Sequence, residues 1–239
     1  MKLLGIETAT ELVGVAVADE TGPRAAFWAT GRRRHAETLA PAIEAVLALV
    51  GWELGELDAV VVDLGPGLFT GLRVGVATAK GLAQGLGVGV LGLSSLEVLA
   101  HAALDAGAAR SVVSVVDARR GEVFAARFGP GLRVLSPAAL YAPEALVAEL
   151  TARHEAPSPV VAAGDGARRY AAVLSGVAGL EVAGPSLAGP PPGSLVALAT
   201  ERLAAGSVLV GAAEVAPMYL READARINWV QRGRVEKRG

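Results

Sequence analysis

An apolar run, Ala59-Val60-Val61-Val62, breaks at Gly65-Pro66-Gly67 and gives way to a segment in which Gly71, Gly75 and Ala79 fall four residues apart. On a helix, that spacing stacks the small residues into one stripe. A stripe without side chains lets another backbone lie directly on the helix, at a cost near 1 kcal/mol per Gly relative to Ala. The pattern predicts a buried strand over 57–64, a glycine-rich connection, and a tightly packed helix from 70 or 71 to 83.

The flanking sequence supplies the rest of an α/β lobe. Residues 3–6, 12–18 and 24–30 predict an antiparallel meander. Leu39, Ile43, Val46, Leu47 and Val50 form an amphipathic stripe ended by Gly51, with Pro41 placed in the first turn or at a kink. A strand is expected at 88–93, then a helix to about 104 opened by a Ser94/Glu97 capping box. His35 is placed exposed at a helix start.

A second pass follows the same order. Strands are predicted at 111–116, 122–128 and 132–135, a helix at 143–152, a strand at 160–163, and a helix at 167–174 after Gly164-Asp165-Gly166. Residues 189–193 read as a linker, Ser194 as the cap of a helix to 205, and 208–210 and 215–220 as final strands. The expected organisation is an N-terminal lobe at 1–108 joined by helix 194–205, a C-terminal lobe at 109–222, and a polar tail at 223–239. The fold class is α/β, with duplicated lobes of mixed sheet flanked by helices.

The chain has 239 residues, 52% of them hydrophobic, enough for a sizeable core. A net charge of -2 argues against a stand-alone nucleic-acid binder. Without cysteine there is no disulfide, thiolate zinc site or cysteine nucleophile. His35, His101 and His154 lack ligand spacing, so no metal site is expected. No membrane span is read in the sequence, and a cytoplasmic location is expected.

Two regions could carry chemistry. The loop Gly65–Gly71 before a helix could cradle an anion on its N–H groups, although it matches neither the P-loop nor the dinucleotide fingerprint. The other reading is a tight strand-to-helix connection. Glu7, Thr8 and Thr10 between two strands, with Asp117 at a later strand end, could hold phosphate and magnesium, or could be ordinary turn residues. Gly65, Gly67 and Gly71 join these four as candidate nucleotide or anion contacts. Ala36, Ala40 and Ala48 make one side of their helix bland for a solvated face.

Five blocks carry a resemblance. Leu3-Leu4-Gly5-Ile6-Glu7-Thr8-Ala9-Thr10, His35-Ala36-Glu37-Thr38-Leu39, Gly65 through Gly75, Asp117 through Phe124, and Pro217-Met218-Tyr219-Leu220-Arg221 together resemble the TsaB (YeaZ) family over roughly 1–222. The resemblance implies the two-lobed actin/Hsp70-like ATPase fold. It also implies a non-catalytic partner of TsaD, acting with TsaE to form threonylcarbamoyladenosine beside the tRNA anticodon. Such a chain is expected to be a homodimer when alone, to meet tRNA only through the complex, and to hold no cofactor tightly, with ATP or ADP at the complex interface. The helices implied in partner contact are 36–50 and 70–84, through Ala36, Ala40, Ile43, Leu47, Thr70, Arg73, Val74 and Ala77. Leu68 stands where that family usually has Ser and Glu7 where it usually has Asp, and both departures count against the expectation that this chain binds nucleotide in its own cleft. The alternative is a small-molecule kinase or ATPase of the same fold using Glu7, Thr8, Asp117 and Gly164-Asp165-Gly166.

Overall fold

A computed structural model of the chain describes residues 1–31, 35–107, 111–152 and 160–220. The first three strands are β1 (Leu3–Glu7), β2 (Leu12–Asp19) and β3 (Gly22–Thr30), followed by helix α1 (His35–Val50). Next come β4 (Ala59–Asp63), α2 (Phe69–Leu86), β5 (Gly89–Leu93) and α3 (Ser95–Asp105). The second pass contains β6 (Ser111–Arg119), β7 (Glu122–Phe128), β8 (Val134–Tyr141), α4 (Pro143–Ala152) and β9 (Val160–Ala163). It ends with α5 (Asp165–Arg169), α6 (Ala171–Leu174), β10 (Leu180–Val182) and α7 (Pro192–Ala204).

The two sheets repeat one topology. Their strand orders are β3-β2-β1-β4-β5 and β8-β7-β6-β9-β10. In each, two antiparallel pairings precede two parallel ones. This is the duplicated, two-lobed actin/Hsp70-like arrangement.

Both faces of the central strands are covered, which is why β1 and β4 read as continuous apolar runs. Leu4, Ile6, Val60 and Val62 pack beneath α1 and α2. Leu3, Ala59 and Val61 pack on Leu195, Val196 and Ala199 of α7. Gly5 lacks a Cβ because Val196 occupies that space. Helix α3 falls in the first lobe by its place in the sequence. It packs on the second sheet through Leu96, Leu99, Ala100 and Ala103 against Val112, Val116 and Phe124, while its Val98 joins the cluster of the first sheet. Helices α4 to α6 cover that sheet's other face.

Several local expectations are corrected. Pro41 lies inside α1, beyond its first turn. The capping box at α3 is half made: Ser94 Oγ accepts from Leu96 N at 3.2 Å, but Glu97 pairs with Arg202 at 2.9 Å. Helix α7 starts at Pro192, which is pre-set for a first turn, so Ser194 lies inside it. Residues 167–174 form two short helices, and β10 was not anticipated. The expected final strands reduce to one bridge between Val90 and Val210. The tail from 223 lies outside the described residues. Among the described residues, no helix is long and apolar enough to cross a membrane.

Candidate functional site

The end of β1 and the Gly65–Gly71 loop close on each other. A Cβ at Gly67 would overlap the Ala9 carbonyl, and one at Gly71 the Thr8 carbonyl. One at Gly75 would overlap Thr8 Oγ1. Leu68 N donates to Ala9 O at 2.6 Å, and Thr8 Oγ1 donates to Gly71 O at 2.9 Å. The glycines therefore serve close backbone approach. Of the two readings open in the sequence, the tight connection is the one these contacts describe. Gly65 has φ +99, a conformation that suits glycine.

Beneath this contact lies a carboxyl pair. Glu7 and Asp63 are both fully buried. Glu7 Oε1 accepts from Ala9 N at 2.7 Å, while Asp63 Oδ1 accepts from Gly65 N at 2.6 Å and Ser95 Oγ at 2.7 Å. The remaining oxygens, Glu7 Oε2 and Asp63 Oδ2, meet no other donor. Burial and their mutual charge disfavour ionisation of both carboxyls, which favours retention of one proton by the pair. Burial, then the Asp63 charge, holds Glu7 well above the usual carboxylate range. Burial raises Asp63 as well, opposed by its donors. We assign the proton to Glu7, because Asp63 is the member surrounded by N–H and O–H groups. Glu7 is thus enclosed among the chain's own groups. Asp63 was missed in the sequence, although a carboxylate ending a buried strand was the available signal.

His35 is also buried, correcting its expected exposure: its Nε2 lies 2.9 Å from Thr10 O. Thr10 Oγ1 accepts from Leu12 N at 3.2 Å. His101 is buried on α3 with Nε2 3.2 Å from Glu201. His154 lies outside the described residues.

Asp117 sits where β6 meets the turn to β7 and is 3% exposed. Arg119 Nη1 and Arg169 Nη1 each lie 3.0 Å from its Oδ2. Arg119 Nη2 also reaches Glu11 at 3.0 Å. Arg119, Arg120 and Gly121 all have positive φ, which turns the chain sharply enough to aim Arg119 back across the gap. Neither arginine nor Glu11 was singled out in the sequence. Asp165 Oδ1 accepts from Asp117 N at 2.9 Å, and burial lifts its carboxyl to about 6.

The kinase reading thus has its carboxylates engaged: Glu7 with Asp63, Asp117 with two guanidiniums. Among the described residues, no cluster of three or more His, Asp or Glu side chains could hold a metal.

The outer faces of α1 and α2 differ from this closed interior. Ala36, Ala40, Ala45, Ala48 and Leu49 are exposed on α1, with Leu49 at 76%. Phe69, Thr70, Arg73 and Ala77 are exposed on α2, and Val74 is half-buried. Ile43 and Leu47 do not belong to this surface. Each is 6% exposed and packs in the core beneath α1, because residues four apart on the apolar stripe face the sheet. The sequence also missed an aromatic group at the start of α2. The Phe69 and Tyr219 rings lie 5.6 Å apart, and the Arg73 guanidinium lies 3.8 Å above Phe69.

Residues 29–229 match the family model described as TsaD, tRNA N6-adenosine threonylcarbamoyltransferase. The Escherichia coli protein TsaB, of tRNA threonylcarbamoyladenosine biosynthesis, is 35% identical over 128 residues, 54% of this chain and 55% of its own. The chain belongs to the TsaB/YeaZ family. The Bacillus subtilis TsaB protein is 28% identical over 97% of this chain and 99% of its own. The solved structure of YeaZ from Pseudomonas aeruginosa has a TM-score of 0.76 at 29% identity, covering 92% of this chain and 99% of that one. The E. coli match thus spans about half of that relative's length, whereas the other two TsaB/YeaZ matches are nearly complete.

Proposed function

We propose that this chain is a non-catalytic subunit that partners a TsaD-type transferase, with a TsaE-type ATPase, in forming threonylcarbamoyladenosine in tRNA. The observation that carries this reading is the contrast between a closed centre and an open flank. The turn residues and glycines that would serve catalysis are bonded to one another. The α1/α2 flank instead exposes alanines, Leu49 and Phe69, interspersed with Glu37, Glu44 and Arg73.

Ala36, Ala40, Thr70, Arg73, Val74 and Ala77 would contact the partner. The exposed alanines allow close helix-to-helix approach, and Phe69 with Arg73 offers the aromatic and guanidinium anchors that dominate interface energetics. The same flank would pair two copies when the chain is alone. ATP or ADP would act at the complex interface, and tRNA would meet the chain only within the complex.

The test is size-exclusion chromatography with light scattering on the chain alone and mixed with the same organism's TsaD, for wild type, Ala40→Glu and Ala48→Glu. A heterodimer that replaces a homodimer, and that either charge weakens at least about tenfold, is the expected result. Absence of a complex at micromolar concentration rules the proposal out, and so does a complex indifferent to both charges.

A further inference from the structure

A cavity of about 660 Å³ opens between the lobes, beside the β1–β2 turn. That size suits a small organic molecule. Its walls are mainly apolar, including Leu12, Leu187, Pro191 and Pro192. Trp28, from edge strand β3, lines it with 63% of its surface exposed. A tryptophan left that open beside a cavity supplies a free ring face.

The charge on the walls has one sign. Glu11 and Asp165 line the cavity, and no Lys or Arg does so among the described residues. Two guanidiniums close to these carboxylates are engaged, Arg119 by Glu11 and Asp117 and Arg169 by Asp117. Among the described lining residues a polyphosphate would face two carboxylates and no cation. The hairpin and glycine loop offer no substitute, since they are bonded to each other. A cationic ligand would find the reverse: a carboxylate removed from bulk water, and an aromatic face that attracts cations.

We propose that this cleft binds a small organic cation, a flat apolar body bearing a protonated amine, in place of a nucleotide. The ring would stack on Trp28 between Leu12 and the proline wall, with the ammonium directed to Asp165 and Glu11. The site is separate from the α1/α2 flank and does not depend on the partner reading.

The probe is tryptamine, titrated calorimetrically into the full chain. Its neutral isostere tryptophol, the anion indole-3-acetate and ADP serve as comparison ligands. Tryptamine is expected to bind saturably below about 1 mM and at least about tenfold more tightly than tryptophol. Indole-3-acetate and ADP should neither bind nor compete. Trp28→Ala, at a position 63% exposed, and Asp165→Asn, which keeps an acceptor for Asp117 N, should each weaken tryptamine at least about tenfold. Equal affinity for tryptophol overturns the proposal. So does competition by ADP, unchanged binding in Trp28→Ala, or no saturable binding of tryptamine.

Discussion

Arg119 Nη2 lies 3.0 Å from Glu11 Oε1 and ties the turn of one lobe to the turn of the other across 108 positions of sequence. Both side chains are over 40% exposed, so this ion pair alone is screened and contributes modestly. Its other half matters more, because Arg119 also serves Asp117, which is buried.

Removal of either guanidinium leaves Asp117 with the other. Arg119→Ala and Arg169→Ala should therefore each cost only about 1 kcal/mol or less. The double variant strands a buried carboxylate and should cost about 3 kcal/mol. Urea denaturation of the four proteins measures the non-additivity. Strictly additive losses would show that the two guanidiniums act independently and that neither compensates for loss of the other.

Burial, then the Asp63 charge, raises the Glu7 carboxyl well above the ordinary value of 4.5 near which the unfolded chain titrates. A folded pKa above the unfolded one stabilises below the unfolded value, and that contribution is lost as pH rises through the folded value. Glu7→Gln keeps a donor toward Asp63 and has no proton to lose. Its stability relative to wild type should rise as pH increases above 4.5. Thermal denaturation across that range checks the sign. A difference that does not change with pH would mean that Glu7 is ionised in the fold.

The glycines divide by what surrounds them. Gly67→Ala and Gly71→Ala drive a methyl into backbone carbonyls and should cost about 3 kcal/mol or more. Gly81 and Gly85 lie on α2 with open space around them, so Gly→Ala there should stabilise by about 0.5–1 kcal/mol each. Melting temperatures of the four variants distinguish close-approach glycines from incidental ones.

Leu68 occupies the N-cap of α2 in extended backbone and makes no side-chain cap hydrogen bond. Leu68→Ser supplies the missing acceptor and should stabilise by about 1 kcal/mol, less the apolar contact given up. Chemical denaturation decides whether the cap outweighs that contact.

Local patterns in the sequence were enough to place most elements. Short apolar runs and the small-residue stripe located β1, β2, β4 and α2, because both are local patterns in the sequence. What failed depended on partners distant in sequence. His35 is buried because Thr10 O lies 2.9 Å away, and Glu97 leaves its cap for Arg202, more than a hundred residues on. Ile43 and Leu47 were counted toward a surface although the stripe they form marks the core side. Asp63 went unnoticed because its role exists only opposite Glu7. Glu11, Arg119 and Trp28 carry no local signature, since their positions follow from how two lobes face each other.

The duplicated topology sets two equivalent hairpin turns face to face. Here one turn extends a guanidinium and the other receives it. The width of the gap is thereby gauged by the length of a single arginine side chain, a ruler built into the polypeptide itself. The two turns are thus registered on each other by a contact within the chain.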